Sequence, residues 1–91
     1  MNPSGAGVAQ EKVEAVLDYL RPAFAPDEVA HLPKADEIGD LFRVIRKAEV
    51  LHQLMIRRPF YDRHDDLALM LKQMNVAARM RKSGTQIVYL L

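Results

Sequence analysis

The sequence predicts an all-α fold, a small bundle of three main helices followed by an extended C-terminal tail. Three observations predict it. Val13, Val16, Leu17 and Leu20 fall at i, i+3, i+4 and i+7, one stripe of a helix. Ile38, Leu41, Phe42, Ile45, Ala48, Met55 and Ile56 share one broad face at about 100° per residue, with Val44 and Leu51 at its edge. Leu67, Met70, Leu71, Met74 and Ala78 repeat at the same period.

Each element follows from its neighbours. Residues 1–8 contain Pro3, Gly5 and Gly7 and read as a flexible N-terminus. A single helical domain is expected over 9–84, with an apolar tail over 85–91. The first helix, about 10–20, stops where Pro22 disfavours a helical Arg21. Within the proline-bearing stretch that follows, PDEVAHL reads as a short helical turn near 27–31, with Asp27 as its cap.

The second helix is expected over about 36–57, because Pro59 cannot continue it. Val50 and Leu54 point away from its apolar face, which implies a bend near Lys47–Glu49 or a cover on two sides. The third is expected over about 62–82, opened by Asp62 and stopped by Gly84. It carries a second stripe, Leu69, Val76 and Met80, on the side opposite the first. Two opposed stripes cannot both face one neighbour, so a partner chain is the simpler cover. The β-branched and aromatic run IVYLL (Ile87, Val88, Tyr89, Leu90, Leu91) favours extended chain. An extended segment with unpaired amides packs on the helices, pairs with the same tail of a second copy, or adds to a partner's sheet.

Composition limits the chemistry. The 91 residues suit one small domain, which buries roughly 60–65% of its unfolded surface. There is no cysteine, so disulfides, thiolate metal sites and a cysteine nucleophile are excluded. A chain without cysteine is compatible with an intracellular, cytoplasmic setting. No apolar run approaches the roughly 20 residues of a membrane span.

The candidate active stretch is IRRPFYDRHDDL, residues 56–67, which gathers arginines, aspartates, a histidine and a tyrosine. Adjacent helical residues diverge by about 100°, so His64 and Asp65 do not converge on one ion. Asp62, Asp65 and Asp66 read instead as a cap and first turn, where carboxylates suit the helix dipole. His52 reads as a partly buried, hydrogen-bonded histidine. Ser4 and Ser83 lack a histidine–acid arrangement, and the glycines form no phosphate loop. No catalytic, cofactor-binding or metal residue is expected, and the protein reads as non-enzymatic.

Contact is the expected function: a helical interaction module, self-associating as a dimer or docking as a small subunit. The expected partner-binding residues are Val50, Leu54, Leu69, Val76, Met80 and Ile87–Leu91. The alternative is a nucleic-acid-binding regulator. The net charge of +1 divides into −5 over residues 1–40 (eight acids, three bases) and +6 over 41–91 (ten bases, four acids). Arg43, Arg46, Lys47, Arg57, Arg58 and Arg63, with Arg79, Arg81 and Lys82, form a basic patch able to contact anions or phosphate.

The run VLHQLMIRRPFYDRHDDLALMLKQMN, residues 50–75, loosely resembles the docking-and-dimerisation domains of kinase A regulatory subunits. That resemblance implies two helices joined through an Arg-Pro corner and dimerised into a four-helix bundle. It leaves residues 1–35 without a counterpart.

Overall fold

Alternation, rather than helical period, governs the middle of this chain. The computed structural model describes residues 10–33 and 39–91. Its element order is α1 (Gln10–Phe24), β1 (Glu28–Leu32), β2 (Gly39–Arg46), β3 (Glu49–Arg57), α2 (Arg58–Arg63), α3 (Leu67–Gln73), α4 (Val76–Ser83) and β4 (Ile87–Leu90). The four strands form one mixed sheet in the order β1-β2-β3-β4. The first three run antiparallel, and β4 joins β3 in parallel after the helical crossover α2–α4.

This corrects the all-α bundle expected from the sequence. The expected helix at 36–57 is a β-hairpin over its described residues. Phe42 and Val44 point to one face of β2, with Leu54 and Ile56 of β3 beside them in the main core. Leu41 and Met55 are also buried, yet lie outside that core on the opposite face. Apolar side chains on both faces hide the period of two, and a near-continuous apolar run fits a helical template as well. The hairpin turn at Lys47–Ala48 holds both residues at positive φ, +50° and +69°. Such turns favour Asn-Gly, so the Lys-Ala pair gives no turn signal.

The expected turn near 27–31 is strand β1, paired with β2 from Glu28↔Ile45 to Leu32↔Leu41. Val29 and His31 pair with Val44 and Phe42 on the core face. The resemblance over residues 50–75 falls for the same reason, since 50–57 are strand. The frayed end expected at 1–8 lies outside the described residues.

Helix α1 matches its expected start and runs four residues past its expected end. Pro22 lies inside it, two residues before its end, and forfeits one backbone hydrogen bond. Val13, Val16, Leu17 and Leu20 are all buried in the core. Lys12 Nζ donates to the Tyr61 carbonyl at 2.6 Å and to that of His64 at 3.4 Å. A cation thus sits at the end of α2, where carbonyls lack partners.

The helix expected at 62–82 is three short helices. Asn75 adopts the left-handed conformation (φ +55°) between α3 and α4. That single break reorients the chain, so Leu67 and Leu71 of α3 and Val76 and Met80 of α4 all enter one core. Val76 and Met80 of the second stripe are thus covered by the chain's own core, whereas Leu69 stays exposed. Asp66, rather than Asp62, is the cap: its carboxylate accepts from Leu69 N at 3.1 Å. The first turn of α4 is satisfied from across the core, where Ala77 N donates to the Tyr19 hydroxyl at 3.0 Å.

Gly39 lies where β2 and β3 approach closely. A Cβ built there would stand 2.6 Å from the Ile56 carbonyl oxygen, so the backbone there leaves no room for a larger residue.

Candidate interaction surface

A sheet has two edges, and this one protects them unequally. β1 is bracketed by Pro26 and Pro33 and begins with Glu28. Arg46 Nε and Nη2 hold Asp27 just before it, at 2.8 and 3.0 Å. That bond is the main cause lowering the Asp27 pKa. Prolines and charges of this kind discourage another strand from adding. β4 reads IVYL, with no charge and no proline. Tyr89 is 49% exposed, and Leu91, just past the strand, 62%.

Side chains of the preceding elements fix this edge in place. Gly84, at φ +60°, ends α4. Its carbonyl accepts from His52 Nδ1 at 3.2 Å, and Gln53 Nε2 donates to the Thr85 carbonyl at 2.8 Å. Arg63 Nη2 donates to the Leu91 carbonyl at 2.8 Å. The strand is therefore presented in a fixed register, Gln53↔Ile87 to Ile56↔Leu90.

On the side of the sheet away from the main core, Leu32, Leu41, Met55 and Tyr89 line up in register across all four strands. The row is apolar from edge to edge. Its inner members are buried, and its β4 member is half exposed. Tyr89 is thus the accessible end of an apolar row.

The expected partner-binding residues divide. Leu54, Val76, Met80, Val88 and Leu90 are buried in the core, where they hold the fold together. Val50 and Ile87 are partly covered. Leu69, Tyr89 and Leu91 are exposed, but Leu69 lies on α3 and the other two at the β4 edge. Of the expected surface, Tyr89 and Leu91 are the exposed residues that lie together at one margin of the sheet.

The expected basic patch is not brought together. Arg43 Nε donates to Gln53 Oε1 at 3.1 Å, and Arg46 is paired with Asp27. Both lie toward the Lys47 turn, whereas Arg57, Arg58 and Arg63 lie at the far end of β3. Arg43 lies opposite Gln53, four strand positions (roughly 13 Å) from Arg57, and Arg46 lies seven positions (roughly 23 Å) from it. Arg81 is used internally: Nη2 donates to the Ala23 carbonyl at 2.6 Å, with the guanidinium 4.9 Å from the Phe24 ring centre. Arg79 and Lys82 are not drawn into that contact, and Lys82 is exposed on α4.

One polar cluster escaped the sequence reading. His31 Nε2 donates to Asp40 Oδ1 at 3.1 Å, and the His31 ring stacks on Phe42 with centres 5.0 Å apart. Asp40 is the buried charged residue of the described chain. The Tyr61 phenol oxygen is buried with Asp40 near it. Burial pushes the Tyr61 pKa well above the ordinary phenol range, and the Asp40 charge pushes it further. The sequence signal of this cluster is faint: one acid at the head of the apolar run LFRVI.

Among the described residues, no three histidine or acidic side chains gather as metal ligands. His64 packs on Phe60 with ring centres 4.5 Å apart. The corner IRRPFYDRHDDL supplies the end of β3, the short helix α2 and the cap of α3. Among the described residues, no helix is long and apolar enough to cross a membrane. Comparison of the chain with protein-family models, curated proteins and solved structures finds no match.

Proposed function

We propose that this protein is a non-enzymatic contact module that binds another protein through the β4 edge. One observation carries the reading: among the described residues β4 is an edge strand without charge or proline, with exposed Tyr89 on it and exposed Leu91 just past it. Edge strands offer a row of backbone donors and acceptors, and soluble proteins usually guard them. An added strand satisfies those groups while its side chains cover the tyrosine and leucine.

The rest of the fold serves to hold that edge. The helical crossover delivers β4 to β3, and His52, Gln53 and Arg63 fix its ends. A preorganised strand loses little freedom on binding.

The test replaces exposed side chains and leaves core ones alone. Tyr89→Lys with Leu91→Lys places charge on the edge, and the circular-dichroism spectrum and melting temperature should stay close to the parent's. Association, read by sedimentation and by capture of bound protein, should fall by roughly tenfold or more, the equivalent of about 1.4 kcal/mol. Unchanged association in a folded variant would remove β4 as the contact.

A further inference from the structure

We infer that the β4 edge pairs with the β4 edge of a second copy, antiparallel, about a two-fold axis at Tyr89. This rests on the contact reading above and names its partner.

The register selects the axis. Opposed residues of an antiparallel pair project to the same face of the sheet. Val88 and Leu90 face the core, whereas Ile87 and Tyr89 face away, in step with Gln53 and Met55. Two copies joined about Tyr89 place Tyr89 against Tyr89, Val88 against Leu90, and Ile87 against Leu91. Every opposed pair is then apolar, and each face of one sheet continues into the same face of the other.

Charge points to the same partner. The strand carries no charge with which to choose an acidic or basic peptide. The charged side chain bonded to it is Arg63, at the Leu91 carbonyl. About the Tyr89 axis, the two Leu91 residues lie four strand positions apart, roughly 13 Å. The two guanidinium groups are therefore held at opposite ends of the pair and do not meet.

The unequal edges set the stoichiometry. β1 is guarded by Pro26, Pro33 and Glu28, so the pairing has no second edge through which to propagate. The contact uses the same patch on both copies and closes at two. The product is an eight-stranded sheet, within the ordinary range for open sheets.

A cysteine-free chain makes the test clean, because a single introduced thiol reports only its own neighbour. Directly opposed residues in an antiparallel pair have Cα atoms about 4.5–5.5 Å apart, within disulfide reach. Tyr89→Cys under mild oxidation is expected to give a covalent dimer on a non-reducing gel. Leu69→Cys, equally exposed on α3, is expected to stay monomeric. The unmodified protein is expected to approach twice its monomer mass as concentration rises.

The alternatives separate the two proposals. A dimer in solution with no more cross-linking in the Tyr89→Cys variant than in the Leu69→Cys variant overturns the pairing at Tyr89. A monomer at every concentration that still loses another bound protein in Tyr89→Lys overturns self-pairing and leaves the contact reading standing. A monomer with no bound protein to lose overturns both.

Discussion

His31 and Asp40 stand diagonally across the β1–β2 pair, with Nε2 and Oδ1 3.1 Å apart and the carboxylate buried. A carboxylate taken out of water needs such a donor, and removing either partner strands the other. His31→Ala and Asp40→Ala should each destabilise the fold by about 1–3 kcal/mol. The double variant should cost less than their sum by at least about 1 kcal/mol. Urea denaturation of the four proteins measures this. Costs that add to within about 0.5 kcal/mol would show the two residues to be independent.

Tyr61 should make stability depend on alkaline pH. Its folded pKa lies above the ordinary value of 10.0. Below that value both states hold the proton, and the contribution is constant. Above it the unfolded chain loses the proton first, so stability falls as pH rises. Tyr61→Phe should remove part of the loss between about pH 10 and 11 and change stability at pH 7 by no more than about 1 kcal/mol. Melting temperatures from about pH 7 to 11 would reveal it. An identical alkaline slope in both proteins would rule out Tyr61 as its source.

The Lys47–Ala48 turn should be improvable. Both residues occupy left-handed backbone, which costs an L-residue with a Cβ roughly 1–2 kcal/mol. Lys47→Asn with Ala48→Gly supplies the residues such a turn favours. The denaturation midpoint should rise, by the equivalent of about 1–2 kcal/mol. A lower midpoint would mean that the Lys47 or Ala48 side chain makes a contact worth more than the relieved strain.

Tyr19 should act as a cap supplied from another helix. Its hydroxyl accepts from Ala77 N in the first turn of α4. Tyr19→Phe keeps the ring and removes the acceptor, at a cost of about 1 kcal/mol. Hydrogen exchange of the Ala77 amide should quicken by roughly fivefold, which is what about 1 kcal/mol of local protection is worth. An unaltered exchange rate would show that the bond is not formed in solution.

Where this fold was legible, one signal sufficed. The stripe Val13, Val16, Leu17 and Leu20 marked α1, because a helix on a surface buries one face only. The β-branched run at 87–91 marked β4 as extended chain. Residues 39–57 misled because Leu41 and Met55 are apolar on the face opposite Phe42 and Leu54. The awkward positions of Val50 and Leu54 on the supposed helix were the trace of that error. The long helix at 62–82 failed at two breaks: the non-helical residues 64–66, and Asn75, whose left-handed backbone periodicity does not encode. Of the site, the tail could be read from its own residues. The selectivity of the β4 edge could not, since it depends on which strand lies at which margin. The His31–Asp40–Tyr61 cluster was hidden because its members sit on three elements that only folding brings together.

The crossover from β3 to β4 also sets an order of events. β1, β2 and β3 join by short-range pairing, but β4 reaches β3 only after residues 58–86 have folded back. Closing a long loop is slower than closing a hairpin. During that interval the outer margin of β3 stands vacant, and the β4 of any other molecule can fill it. Refolding at high concentration should therefore yield exchanged pairs, in which each molecule's last strand completes its neighbour. Such pairs would separate only as fast as the chain unfolds, and dilution alone would not undo them.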